Sequence, residues 1–252
     1  MVAILPPTLV SGIIEPLQSV FRQSWFITLL GRSPLKLEFS DEGLFLEPGK
    51  GVVRSVPWEA FSSSPVVRKG LFFSRLEFTA NNQKESISWI SKASARALRE
   101  GLCSRLLELH GVRATAALQR IHDLVQKAGY LRSTHAAAIA RFADTQRHRL
   151  ILPPVDIDFP QKLIQPYEKL QQWAESDPVL IEHTRDNFLR DELARFRDLF
   201  DSVESNLLTT KQGEACVIEE DNNLVLAGAG TGKTSTMIGR TAYLLRSGRA
   251  QD

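Results

Sequence analysis

The stretch LVLAGAGTGKTSTM, Leu224 to Met237, constrains this chain more than any other. Backbone N–H groups can converge on an anion only where side chains do not obstruct the approach, and a Gly/Ala loop opening a helix meets that need. Ala227 to Thr234, AGAGTGKT, is such a loop, with Gly228, Gly230 and Gly232 free to take positive φ. The run Asn223-Leu224-Val225-Leu226 predicts a buried strand before it, and Met237, Ile238, Leu244 and Leu245 predict an apolar helical face after it. Strand, glycine-rich loop and helix in that order form a cradle for nucleotide phosphates. Lys233 is then placed to reach the β- and γ-phosphates as a point charge, and the Thr234 hydroxyl to ligate Mg2+. The candidate phosphate-contact set is Ala227, Gly228, Ala229, Gly230, Thr231, Gly232, Lys233, Thr234 and Ser235. One departure stands out: the general pattern begins on glycine, and here that residue is Ala227.

Upstream, LTTKQGEAC runs from Leu208 to Cys216, and Gln212 precedes Lys233 by 21 residues. A glutamine amide offers a donor and an acceptor together, so it can read N6 and N7 of adenine. Leu208-Thr209-x-x-Gln212-x-x-Ala215, followed by Leu226-Ala-Gly-Ala-Gly-Thr-Gly-Lys-Thr234, resembles the adenine-reading and phosphate-loop motifs of superfamily 1 UvrD/Rep-like DNA helicases. Those enzymes tolerate alanine at the Ala227 position. Arg68 to Ser91 (RKGLFFSRLEFTANNQKESISWIS) and the tail LLRSGRAQD look like the bacterial helicase IV branch of that family.

The resemblance implies ATP with Mg2+, and 3′→5′ translocation on single-stranded DNA, or on duplex DNA with a single-stranded tail, by two RecA-like domains. It transfers roles to Gln212 and the loop residues alone. No Asp-Glu pair follows the loop to hold Mg2+ and orient water, and no second RecA-like domain follows with its arginine fingers. The catalytic set is thus incomplete, and the chain is expected to be the amino-terminal portion of a motor, inert by itself. Two alternatives belong to other classes. One is a helicase-like factor that binds RNA polymerase through a helical arm over residues 112–204; the other is a stand-alone binding module.

The remaining sequence predicts an α+β amino-terminal module over residues 1–110, a helical region over 111–205, and the first strand and helix of a P-loop α/β RecA-like domain over 206–252. In the first, Leu35, Leu37 and Phe39 alternate with polar residues, Asp41-Glu42-Gly43 turns the chain, and Leu44 to Leu46 follow. Val52, Val53, Val66, Val67, Phe72, Leu76, Phe78, Ile87 and Trp89 continue a series of short antiparallel strands, with Pro48-Gly49 and Asn81-Asn82 as turn signals. A helix over about 94–110 with Ala95, Leu98, Leu102 and Leu106 on one face would close it, in an arrangement resembling a pleckstrin-homology-like barrel.

Residues 112–149 read as helical. The three prolines of Leu150 to Pro160 break that pattern, and Ser176-Asp177-Pro178 opens one long helix to about Glu204. Its stripe of Leu189, Leu193, Phe196, Phe200 and Val203 is two heptads long and reads as a packing face more readily than as a coiled-coil arm. Residues 92–149 carry eleven Lys/Arg against four Asp/Glu, and residues 156–204 six against twelve. Complementary charge within the chain accounts for this more simply than direct DNA contact does.

Cys103 and Cys216 show no disulfide or zinc spacing, and the five histidines show no metal-ligand spacing. Trp25, Trp58, Trp89 and Trp173 read as core residues rather than base-stacking platforms. The opening MVAILPPTLVSGIIEPLQ lacks a basic segment and is interrupted by proline, so neither a signal peptide nor a membrane span is expected, and a cytoplasmic protein is.

Overall fold

Residues 21–22, 35–48, 53–203 and 207–249 are described by the computed structural model. The expectations at residues 1–18, Trp25, Gly49, Val52, Glu204 and residues 250–252 lie outside them.

Two antiparallel sheets build the first unit, residues 1–112 with 150–165. β1 (Phe21–Arg22), β2 (Leu35–Phe39), β3 (Gly43–Pro48) and β4 (Arg54–Pro57) pair in chain order, as do β5 (Val66–Lys69), β6 (Ser74–Ala80) and β7 (Gln83–Ile90). Period-two patterning places Leu37, Leu44, Leu46 and Val56 of one sheet, and Leu76, Phe78 and Ala80 of the other, in a common core. Turn chemistry fixes the registers. The Ser40 hydroxyl accepts from the Glu42 and Gly43 amides at 3.1 Å, and a side chain at Gly43 would meet the Val56 carbonyl at 2.3 Å. Asn81 and Asn82 both take positive φ (50° and 60°), as a two-residue hairpin between β6 and β7 requires.

Three strand expectations need correction. Val53 lies just outside β4 and is exposed. Phe72 lies in the β5–β6 turn and is exposed. Trp89 is not core, because the pairing jumps from Leu76↔Ile87 to Ser74↔Ile90. β7 thereby gains one residue over β6. This bulge turns Ile90 inward and Trp89 out. Trp58 does lie in the core, donating from Nε1 to the Ser40 carbonyl at 3.0 Å, within a run of rings from Phe39 through Phe61 to Phe78.

Helix α1 (Lys92–Ala128) closes the unit with Ala95, Leu98, Leu102 and Leu106, all fully buried. It runs unbroken through residues 110 and 111, where the sequence suggests a division, because nothing crowds or bends the chain at Gly111. The proline-rich segment returns to this unit. Ile151 joins the core, Ser64 donates to the Leu152 carbonyl at 2.9 Å, and the Arg99 guanidinium grips Asp156 with two bonds of 2.5 and 2.7 Å.

Residues 113–149 and 166–252 form the second unit. The helical reading of 112–149 is corrected at Gly129, whose φ of 71° ends α1; α2 (Ser133–Arg147) restarts four residues later. α3 (Gln161–Ala174) follows the prolines and buries Leu170. Asp177 caps α4 (Pro178–Arg195), accepting from the Val179 amide at 2.9 Å with proline in the first turn. The single long helix expected here is two. Phe196 (φ −105°, ψ 21°) breaks the pattern and α5 (Arg197–Ser202) resumes. The Leu189–Phe200 stripe packs against Cys216, Val217 and Tyr243. α6 (Thr210–Val217) and α7 (Lys233–Ser247) complete the unit.

Among the described residues no helix is long and apolar enough to cross a membrane.

Candidate phosphate-loop site

Three local decisions place the loop. Thr209 caps α6, accepting from the Gln212 amide, while the Gln212 side-chain oxygen accepts from the Thr209 amide at 2.8 Å. This reciprocal capping box is written in the sequence as Thr-x-x-Gln. It gives Gln212 a structural role that the adenine reading alone does not account for. α7 then begins at Lys233, after Gly232 in the left-handed conformation (φ 80°). Finally, Gly239 lets α7 lie close to α6. A side chain there would meet Cys216 Sγ at 2.9 Å and Leu208 Cδ1 at 3.0 Å.

The expected residues come together. Gln212 Nε2 donates to the Thr231 carbonyl at 3.0 Å, which puts its carboxamide against the loop. A Cβ at Gly232 would fall 2.3 Å from that nitrogen, so glycine is needed for closeness as well as for φ. Lys233 Nζ donates to the Ala227 carbonyl at 3.2 Å, and Thr231 Oγ1 to the Gly228 carbonyl at 2.9 Å; together they fold the loop on itself. Gly230 also takes positive φ (72°), with open space where its side chain would be. Gly228 does not take positive φ; only two of the three expected glycines do.

The Thr236 amide makes the first backbone bond of α7, to the Gly232 carbonyl at 3.0 Å. The amides of Lys233, Thr234 and Ser235 thus precede the intrahelical ladder and carry the positive end of the helix dipole. Ala229, Lys233 and Thr234 are exposed and Ser235 half-buried. A Gly/Ala loop with unobstructed amides and one reachable ammonium fits a polyphosphate. For Mg2+ the fit rests on Thr234 alone: among the described residues no cluster of three His, Cys, Asp or Glu could hold a metal.

The strand before the loop is not formed. Leu224 to Leu226 adopt no strand pairing and are 82%, 54% and 85% exposed. An apolar run becomes a buried strand only between neighbours that cover it and take up its ladder hydrogen bonds.

Two residues that the sequence reading passed over hold the site together. Arg240 Nη1 donates to the carbonyls of Cys216 (3.2 Å) and Ile218 (2.7 Å), placing a cation at the carboxyl end of α6. The Tyr243 hydroxyl donates to buried Glu192 at 2.6 Å, fastening α7 to α4. A basic residue and a tyrosine on an amphipathic helix carry no sequence signal of such roles. Cys216, between the two helices, has its thiol pushed up to about 11 by burial, which makes it a packing residue rather than a nucleophile.

Residues 208–252 match the UvrD/REP helicase N-terminal domain. Part of the chain is also similar to DNA helicase IV of Escherichia coli (strain K12), at 36% identity over 85 residues. That stretch is 33% of this chain and 12% of that protein. No solved structure matches. Relatedness to UvrD/Rep-like helicases is therefore shown over part of the chain, and the family match covers the loop together with α6 and α7.

Proposed function

We propose that residues 208–249 bind ATP with Mg2+, and that the whole protein uses this site to drive 3′→5′ movement along single-stranded DNA and to unwind duplexes. The observation that carries this reading is the Gln212 bond to the Thr231 carbonyl, which joins the purine-reading amide to the phosphate loop. In it, Lys233 exchanges the Ala227 carbonyl for phosphate oxygens, the amides from Gly228 to Ser235 surround the phosphates, and Thr234 supplies one Mg2+ oxygen. When bound, the metal neutralises phosphate charge. The protein's own task is to orient the nucleotide through Gln212 and the loop.

Leu224 to Leu226 belong, on this reading, to the sheet of a RecA-like domain whose neighbouring strands supply their pairing. The four-plus-three strand arrangement followed by α1 favours a pleckstrin-homology-like first unit.

The test has two stages. Fluorescent ATP should bind this chain weakly in the presence of Mg2+, and Lys233→Ala should remove that binding. A longer chain carrying the remaining motor motifs should then hydrolyse ATP faster with single-stranded DNA. No stimulation by any single-stranded DNA would refute the helicase reading.

A further inference from the structure

The second sheet of the first unit carries a surface unrelated to the phosphate loop. Gly70-Leu71-Phe72-Phe73 joins β5 to β6, closed by the Gly70 amide on the Phe73 carbonyl at 2.9 Å. Leu71 and Phe72 are 84% and 77% exposed at its tip. On β7, Trp89 is 43% exposed, with its ring centroid 5.7 Å from that of Phe73 and the rings tilted by 57°. Trp89 holds a φ of 64° at the bulge, a conformation that a bulky side chain rarely adopts and glycine adopts freely. The bulge thus keeps a strained tryptophan, and the effect of that strain is to present an indole at the surface.

These strands wall a cleft of about 410 Å3, within the size range of ligand sites. Arg68, Lys69 and Arg75 line it together with Phe72, Phe73 and Trp89, and no carboxylate does. Arg68 is held by Glu77 at 2.7 Å and Arg75 donates to Ser88 Oγ at 3.0 Å, while Lys69 has no acidic partner among the described residues. Ser74 lines the same cleft. It is 3% exposed, and its hydroxyl has no hydrogen-bond partner among the described residues. Its side chain lies on the inward face of β6 with Leu76, Phe78 and Ala80, so the cations and rings, and not this hydroxyl, are what the cleft offers a ligand.

We propose that this cleft and its aromatic rim bind single-stranded nucleic acid. Unpaired bases stack on Phe72 and Trp89, and backbone phosphates meet Arg68, Lys69 and Arg75. Planar rings beside a concave cationic slot suit bases joined by phosphates, since every base has a π-face and the backbone tracks the charge. An anionic membrane would meet Leu71, Phe72, Trp89 and the cations at the rim, but a flat surface leaves the concave slot between the strands unfilled. This inference stands independently of nucleotide binding at the loop.

The test uses the whole 252-residue chain and a fluorescein-labelled oligothymidylate, read by anisotropy and tryptophan quenching. Binding should weaken with salt at a log–log slope of about −2, from three phosphate contacts at about −0.7 each. Phe72→Ala should weaken it roughly fivefold or more. Trp89→Gly, which suits the bulge backbone, should do the same, and Lys69→Ala should flatten the slope by about 0.7. Lys233→Ala should leave binding unchanged. Four results would overturn the proposal: no oligothymidylate binding, loss of it through Lys233→Ala alone, equal affinity for duplex of the same length, or Phe72-dependent binding only to phosphatidylserine vesicles.

Discussion

Tyr243 is 1% exposed and gives its only hydroxyl proton to Glu192, itself 7% exposed. Among the described residues the other contact on that carboxylate is Arg195 at 3.4 Å, whose side chain is largely in solvent. Tyr243→Phe keeps the ring contacts with Phe196 and Phe200 but leaves Glu192 short of a donor, at a cost of about 1–3 kcal/mol. The melting temperature should fall by several degrees, measured by circular dichroism, whereas Thr241→Ala on the exposed face of α7 should shift it little. Gly232→Ala tests the site itself. It strains a left-handed position and drives a methyl into Gln212 Nε2, so the carboxamide should leave the loop. Discrimination of ATP over GTP should shrink more than overall nucleotide affinity, as read by competition binding. At this scale the sequence was a good guide at Gly232, where a left-handed backbone demands glycine. It misled at Trp89, where the side chain's direction depends on a bulge that only pairing with β6 creates.

Helix α2 shows how an element can be capped from a distance. Its flanking Arg132 offers no side-chain cap, and its first amides are satisfied from another segment. Glu220 accepts from the Ser133 amide at 2.7 Å, and Asp221 from the Thr134 amide at 2.9 Å and hydroxyl at 2.7 Å. Arg185 pairs with Glu220, and Arg132 and Arg249 with Glu219. Burial pushes the Glu220 carboxyl up, but the Ser133 and Asp221 amides and the Arg185 charge outweigh it and hold the group below its ordinary range. The Thr134 hydroxyl and amide hold Asp221 below its range too.

Both carboxylates are therefore more acidic folded than unfolded. Their contribution is fully present above the unfolded values, near pH 4, and is lost as pH falls through the folded ones. The melting temperature should drop on acidification below about pH 4.5, and Glu220→Gln with Asp221→Asn should lower it at neutral pH and flatten that acid slope. The charge pattern anticipated pairing of the basic helices with the acidic ones. Instead Arg99 pairs with Asp156 in the non-helical proline-rich segment, and Arg132 finds Glu219, outside the acidic stretch. Charge counts establish that partners exist; the fold selects which.

At the scale of the molecule, the chain leaves its first unit at Val112 and returns to it at Leu150. Ile151 lies in a core whose other buried members, among the described residues, run from Leu37 to Leu106, and His110 Nδ1 accepts from its amide at 3.3 Å. Ile151→Ala in the full chain should destabilise the β-rich unit by about 2–4 kcal/mol, although Ile151 lies far beyond the end of β7 at Ile90. Near-ultraviolet circular dichroism reports on it through buried Trp58. A melt unchanged by the substitution would mean that the returning segment is not part of that core.

The sequence by itself determined what short-range chemistry dictates. Glycines and a lysine at fixed spacing gave a loop and the first residue of α7, Asp177-Pro178 the start of α4, Asn81-Asn82 a tight hairpin, and period-two patterning the inward faces of most strands. Each depends on backbone geometry or burial periodicity within a few residues, so local sequence is enough. Tertiary structure alone decided the outcomes that depend on distant neighbours. Leu224 to Leu226 stay exposed because no strand is paired beside them, Trp89 turns outward because β6 is one residue short, and the prolines at 153 and 154 pass through a segment that rejoins the first unit rather than simply separating two helices. Burial and hydrogen-bond pairing are relations between segments, and no single segment encodes which partner will reach it.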